Sequence, residues 1–115
     1  MANSTEALNR AYVAVAGTVT HMSLHTGDPG STGASEVTGG SYARVAQSYG
    51  SPTAGAGDLS AAAVFDVPEG VTVTHWGAWD GSNFLFGEAL EQAQSFATAG
   101  TYTLTSAPYS AADPS

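Results

Sequence analysis

The stretch that decides the fold is VTVTHWGAWDGSNFLF, residues 71–86. Valine, threonine and tryptophan alternate here between two faces, which is the pattern of a strand. Asp80-Gly81 supplies the positive φ that a tight turn needs, so the stretch predicts a β-hairpin. Because both tryptophans and two of the four phenylalanines lie in it, we expect this hairpin to nucleate the core. Its alternation places five residues on one face: Val71, Val73, His75, Gly77 and Trp79.

On the N-terminal side, residues 3–17 predict a helix. Asn3 would be its N-cap with Glu6 at capping-box spacing, and Gly17 would end it in a left-handed conformation. The YVAVAG part is also compatible with a strand, because valine and tyrosine favour sheets. Further strands are predicted at residues 19–25, 41–49 and 59–67, and a final pair at 95–98 and 101–106. Residues 87–94 fit either a strand or irregular chain.

Short strands separated by turn signals, after one helix, predict a mainly β fold: a small antiparallel β-sandwich or barrel with one N-terminal helix. We expect a single β-rich domain over residues 1–106, with the helix at about 3–17. Residues 107–115 are small and contain proline, and they predict an extended C-terminal tail.

The composition narrows the function classes. The 115 residues contain no lysine, and Arg10 and Arg44 oppose ten carboxylates for a net charge of −8. Such a chain lacks the clustered cations that nucleic acid and anionic membranes require. Zero cysteines exclude disulfides and thiolate metal sites. The sequence shows neither a secretory signal nor an apolar run of about 20 residues that would cross a membrane.

The chain contains histidine, aspartate and serine residues, but their spacing does not match a metal-binding or catalytic site. His21 and His25 lie about 14 Å apart on an extended strand, too far to share a metal ion. His25, Asp28 and a serine could be written as a hydrolase triad, but the chain has no G-x-S-x-G elbow. The glycine-rich loops lack the lysine of a phosphate-binding loop. We therefore predict no catalytic, metal-binding or cofactor-binding residue, no cofactor and no enzymatic activity.

Residues 26–40 form a long connection with five glycines. Asp28-Pro29-Gly30 within it fits a type II turn. Connections of this length without regular structure are uncommon in a compact domain, and they are usually functional or disordered. Arg44 follows, and we expect it to pair with Asp28 or Glu36 and fix the base of the loop. The predicted partner-contact residues are Thr26, Asp28, Pro29, Gly30, Glu36 and Arg44.

Three segments carry a resemblance to a known family. SLHTGDPGSTGASEVTGGSYAR, residues 23–44, resembles the S-L-H-T-x-D-P-G-x-T-G-A-x-E-V-x-G-G-S-Y-A-R stretch of small tailed-phage proteins usually labelled tail fibre or minor tail protein. FDVPEGVTVTHWGAWDG, residues 65–81, is similar to their F-x-V-P-x-G-T-T-V-T-H-F-G-L-W segment, with Val71 for Thr, Trp76 for Phe and Ala78 for Leu. AGTYTLT, residues 99–105, matches the end of many members.

The resemblance implies a non-enzymatic structural component at the surface of a phage particle, made in the host cytoplasm. Its partners would be other virion proteins of the tail or capsid. We expect a homo-oligomer, with a trimer as one form. The chain has no heptad, collagen-like or solenoid repeat from which to build a shaft. We therefore expect a compact knob, tail-tip subunit or capsid-surface decoration protein instead of a shaft. The family label favours a minor tail or tail-fibre-type module, and a capsid-surface decoration protein is the alternative.

A host-glycan recognition module is the second alternative. Aromatic side chains can stack on sugar rings while neighbouring polar groups bond the hydroxyls. The residues predicted for this are Trp76, Trp79 and Asp80, together with Tyr42, Tyr49 and Asn83.

Overall fold

In the computed structural model, which describes residues 4–111, the chain forms helix α1 (Thr5–Val15), a 3₁₀ turn (Ala16–Thr18) and eight strands. The strands are β1 (His21–His25), β2 (Val45–Ala46), β3 (Ala56–Gly57), β4 (Ala63–Val67), β5 (Val71–Asp80), β6 (Asn83–Phe96), β7 (Gly100–Leu104) and β8 (Tyr109–Ser110).

All strand pairs are antiparallel. One sheet has the order β2-β1-β5-β6, while β4 pairs with β7 and β3 with β8. The β4–β7 pair lies against the four-stranded sheet, and the core is buried between these two layers. The predicted mainly β, antiparallel fold with one N-terminal helix is confirmed, and the layers make it a sandwich. The core residues are Val19, Met22, Leu24, Val37, Ala63, Phe65, Val67, Val73, Trp76, Ala78, Leu104 and Ala107.

Helix α1 begins and ends differently from the prediction. Its N-cap is Ser4, whose hydroxyl accepts the Ala7 N–H at 3.1 Å; Asn3 lies outside the described residues. Gly17 does not end the helix in a left-handed conformation, because the chain continues into the 3₁₀ turn. The helix is attached through a few residues, chiefly the buried Tyr12, whose hydroxyl donates to the Gly50 carbonyl at 2.9 Å.

The central hairpin forms, but its two-residue loop is Gly81-Ser82, one residue later than the predicted Asp80-Gly81, and Asp80 still pairs with Asn83. Gly81 has φ 59°, a conformation that glycine adopts without a steric cost. The strict alternation predicted for β5 does not continue past Thr74. Val73 belongs to the core, but there the pairing with β6 shifts register. An irregularity of this kind turns the opposite set of side chains inward: Trp76 and Ala78 rather than His75, Gly77 and Trp79.

Two other strand predictions are wrong in extent or pairing. Residues 41–49 contribute only β2, since the chain there is occupied mainly by turns and side-chain contacts to the loop. Residues 95–96 belong to the long β6, and β7 pairs with β4 instead of with residues 95–98. In β4 and β7 the predicted alternation is confirmed. Phe65 and Leu104 are buried, and the threonines beside Leu104 are exposed.

Residues 107–111, the described part of the predicted tail, are extended and packed on the domain. Ala107 is fully buried, and its N–H donates to Asp58 Oδ1 at 2.7 Å. Tyr109 lies in β8 and stacks on Phe86 with ring centroids 4.4 Å apart. Residues 112–115 of that prediction lie outside the described part. Helix α1 is too short to span a bilayer, and the described chain offers no other candidate.

Candidate functional site

The four-stranded sheet buries side chains on both faces, and the face turned away from the core is covered by residues 26–40. We call this segment the covering loop. Ser23 and His25 on β1 have no exposed surface, yet neither belongs to the apolar core. Trp79 on β5 lies beside them and is only 6% exposed. A buried polar surface is stable only if its donors and acceptors are paired, and the covering loop provides part of that pairing.

A chain of three hydrogen bonds ties the sheet to the loop. Trp79 Nε1–H donates to Ser23 Oγ at 2.8 Å, and Ser23 Oγ lies 2.6 Å from His25 Nε2. His25 Nδ1 lies 2.8 Å from the Ala34 carbonyl oxygen. Because a carbonyl can only accept, Nδ1 carries the proton, and Nε2 then accepts from the serine hydroxyl. One neutral tautomer of His25 therefore satisfies the whole chain.

The Ser23–His25 pair has the spacing of a nucleophile and its base, but its position serves a different purpose. Both residues are fully buried, and Ser23 Oγ already receives the Trp79 N–H. Asp28, the acid of the triad considered from sequence, is exposed and accepts the Gly30 N–H at 2.8 Å. The arrangement therefore holds the covering loop against the sheet.

Arg44 and Glu36 close the loop at its other end. The Arg44 guanidinium forms a two-pronged bond to the Glu36 carboxylate, with Nε–Oε2 at 3.0 Å and Nη2–Oε1 at 2.9 Å. The same guanidinium lies 3.4 Å from the centroid of the Trp79 ring, a favourable cation–π position. Burial alone would raise the pKa of Glu36, but hydrogen bonds from Arg44 and Tyr42 outweigh it and hold the pKa below its ordinary value. The carboxylate is therefore ionised.

Tyr42 links this ion pair to the apolar core. Its hydroxyl donates to Glu36 Oε2 at 2.8 Å and accepts the Leu24 N–H at 3.0 Å. Its ring is stacked on Phe65, with an interplanar angle of 12°. Burial is the main cause that raises the pKa of Tyr42, so the phenol stays protonated and remains a donor.

Two glycines allow the loop and sheet to approach this closely. A Cβ on Gly33 would lie 2.6 Å from the Trp79 ring, and Gly33 also has φ 80°. A Cβ on Gly77 would lie 2.7 Å from both Ser23 Oγ and His25 Nε2. Neither distance is compatible with a side chain, so both glycines are needed for the tight packing of the loop.

The predicted partner-contact residues are divided between two environments. Thr26, Asp28 and Gly30 are exposed on the outer turn of the covering loop, and Gly30 has the predicted positive φ, 59°. Pro29 is fully buried beneath that turn. Glu36 and Arg44 form the predicted pair, with Glu36 rather than Asp28 as the acid. Thr26, Asp28 and Gly30 therefore form an exposed surface, and Pro29, Glu36 and Arg44 hold that surface in position.

The residues predicted to stack on a glycan are not brought to one exposed surface. Trp76 is 3% exposed in the core, and Trp79 lies beneath Arg44 and the covering loop. Asp80 is half-buried at the hairpin turn, and Asn83 opposite it is exposed. Neither tryptophan offers a free ring face to a sugar. Across residues 4–111, His, Asp and Glu side chains also form no group of three that could hold a metal ion.

Sequence reasoning missed the anchoring roles of Ser23, Gly33, Tyr42 and Gly77. Only the role of Gly77 could have been predicted from the sequence. Gly77 interrupts a strand otherwise rich in valine, threonine and tryptophan, and a glycine inside a strand often marks a close approach of another part of the chain. The other three act across the fold, and nothing local in the sequence distinguishes them.

His25 makes the stability of the loop dependent on pH. Burial is the main cause that lowers the pKa of His25 below its ordinary value of 6.5. Below pH 6.5 the unfolded chain therefore binds more protons than the folded one, and stability falls as the pH drops towards the folded pKa. Glu36, whose pKa is also lowered, adds a further loss below about its ordinary value of 4.5.

Urea unfolding at pH 7.5, 6.0 and 5.0 would check this. We expect the free energy of unfolding to decrease from pH 7.5 to 5.0. A free energy that is constant over this interval would show that His25 is not held neutral in the folded protein.

A comparison with models of known protein families matches almost the whole described fold. A protein-family model described as "Podophage GP4 fiber I protein gp80" matches residues 2–109. The match includes α1 and every strand up to the first residue of β8. The chain matches no curated protein and no solved structure.

Proposed function

Since the chain belongs to this podophage fibre protein family, we propose that it is a non-enzymatic, tail-fibre-type subunit that makes repeated contacts with neighbouring proteins of the virion. The family match carries the proposal, because it covers residues 2–109 and so describes the complete sandwich. A match limited to a short motif would have been weaker support for this proposal.

The covering loop supports a role in making contacts. Its outer turn exposes Thr26, Asp28 and Gly30, and its inner side is held by the hydrogen bonds to His25 and the Arg44–Glu36 pair. A surface that is already ordered loses little conformational entropy when a partner binds. Such a surface suits a protein that must dock in the same way in every copy.

Helix α1 offers a second contact surface. It touches the domain mainly through Leu8, Asn9 and Tyr12, while Val13 on another side is 52% exposed. Ala7, Ala11 and Ala14 are exposed as well, so much of the helix surface is free to contact a partner. We propose that the loop and the N-terminal helix together join neighbouring subunits, with a closed trimer as the expected symmetric form.

Locating the protein in the particle tests the proposal. A peptide tag at the C-terminus, detected with gold-labelled antibody in electron micrographs of purified particles, should place the label at the tail. Labels spread evenly over the capsid would instead identify a head decoration protein, and particles without any label would refute a virion role.

A further inference from the structure

A cleft outside the covering loop lies at the open edge of the sandwich. Among the described strands, β6 is the last of its sheet, and it does not pair with β7 of the facing pair. A cleft of about 630 Å³ is lined by residues 88–92 of β6 and by Tyr102 and Leu104 of β7. We call it the edge cleft. Natural proteins commonly cover an open sheet edge with a helix or a loop, so this cleft is a position for such a cover.

An irregularity in β6 decides what kind of cover fits. Val73 pairs with Gln94 and His75 pairs with Ala89, so four residues of β6 (90–93) lie opposite the single residue between Val73 and His75 on β5. Three of the four line the edge cleft. Because this part of β6 departs from the regular ladder, an added strand could not pair with it in register. A helix, which contacts its partner through side chains, fits better.

The lining of the edge cleft combines negative charge with apolar surface. Glu88 and Glu91 are exposed, and neither forms an ion pair with a described cation. Leu90 and Tyr102 are half-buried, and Leu104 is buried. A partner that carries a cation beside an apolar side chain would therefore complement the carboxylates and cover the apolar surface.

Helix α1 exposes this combination. Arg10 and Val13 lie three positions apart on one face of the helix, and Val13 is 52% exposed. The pair of Arg10 with Glu6 is 3.5 Å long and both side chains are 78% exposed, so it contributes little and can be exchanged for another carboxylate. The only other arginine, Arg44, is held by Glu36. Arg10 is therefore the side-chain cation that is available for a contact.

We propose that α1 of one copy docks in the edge cleft of a second copy. Val13 packs on Leu90 and Tyr102, and Arg10 pairs with the glutamates of the cleft. This docking rests on the proposed role as a subunit that contacts its neighbours, and the edge cleft is the surface that receives the helix. Because helix and cleft share no residue, the contact is head-to-tail, and copies joined in this way can close into a ring such as the expected trimer.

The contact is small, because it involves one face of an 11-residue helix. Small interfaces are weak, so we expect single chains in the dilute solutions in which unfolding is measured. Association should occur at high concentration, or where other virion proteins hold the copies close together. Cross-linking of concentrated protein is therefore the appropriate test.

The chain contains no cysteine, so introduced cysteines can report the contact. Val13→Cys and Gln92→Cys, the latter in the edge cleft, are placed in separate chains with different tags, mixed at about 0.5 mM and oxidised. We expect disulfide-linked dimers that carry both tags. Ser82→Cys, in the exposed hairpin loop outside the cleft, should give far less of this product when it replaces Gln92→Cys. The proposal is overturned if the two mixtures give equal yields, or if Val13→Cys chains link mainly to each other.

Charge reversal tests the role of Arg10. Arg10→Glu, added to the Val13→Cys chain, should lower the yield of the mixed dimer about tenfold, because an attraction becomes a repulsion. Adding Glu88→Arg or Glu91→Arg to the other chain should restore the yield, and Glu69→Arg, outside the edge cleft, should not. An unchanged yield for Arg10→Glu, or no recovery with either reversal in the cleft, would contradict the docking. Such a failure would leave the location of the protein in the particle, and thus the proposed function, intact.

Discussion

Replacing Gly77 with alanine is expected to lower the free energy of unfolding by about 3–5 kcal/mol, from overpacking together with a broken buried hydrogen bond. The new methyl group would lie 2.7 Å from Ser23 Oγ and His25 Nε2, and 2.9 Å from the Phe84 ring. Because the strand backbone and these side chains are all buried or paired, relief requires separation of Ser23 from His25. Small domains are stable by only about 5–15 kcal/mol, so this single methyl group should remove a large part of the stability.

Gly27→Ala is the matched control for this experiment. A Cβ there would meet Ser35 at ordinary contact distances, 3.5 and 3.6 Å, and Gly27 has no positive φ. Urea unfolding of both variants should show a large loss for Gly77→Ala and a change within about 0.5 kcal/mol for Gly27→Ala. Equal stabilities for the two variants would contradict the close packing of the sheet beneath the covering loop.

Replacing Arg44 with alanine is expected to cost about 2–3 kcal/mol. Breaking a fully buried pair costs about 3–5 kcal/mol because one charge is stranded. The value is smaller here because the Arg44 and Glu36 side chains are 33% and 19% exposed. The loss should concentrate in the covering loop. Hydrogen exchange should accelerate at two backbone amides of the loop. The Thr26 N–H donates to the Ser35 carbonyl, and the Val37 N–H donates to the Leu24 carbonyl.

Arg10 provides the control, since its pair with Glu6 is 78% exposed on both sides. Arg10→Ala should change stability by less than about 0.5 kcal/mol. If the loop contacts other virion proteins, Arg44→Ala should also reduce the amount of protein that enters phage particles. Unchanged stability and unchanged exchange in Arg44→Ala would show that the ion pair does not fix the loop.

The sequence was a good guide where structure is set by local pattern. The hairpin turn at Gly81, the alternation in β4 and the positive φ of Gly30 all follow from residue type and spacing. The pairing of Arg44 with a loop carboxylate followed from scarcity, because only two cations face ten acids. In each case a short stretch or a simple count contained the necessary information.

The remaining features depend on contacts between distant parts of the chain. The shift between β5 and β6 exchanges the buried face after Thr74, and no local pattern marks the excess residues of β6. Pairing of β7 with β4 was missed because the alternation identifies a strand but not its partner. The polar network under the covering loop escaped prediction for a similar reason. Ser23 and His25 lie on the face that an alternating strand would expose, and only the returning loop buries them.

The most direct test of the fibre assignment is the number of copies per particle. Quantitative mass spectrometry of purified virions, with isotope-labelled peptides from this chain and from the major capsid protein, would measure it. A tail-fibre-type subunit is predicted to be present in small number, far below the major capsid protein and in a multiple set by the symmetry of the tail. A copy number comparable to that of the major capsid protein would contradict the account and would identify a decoration of the head.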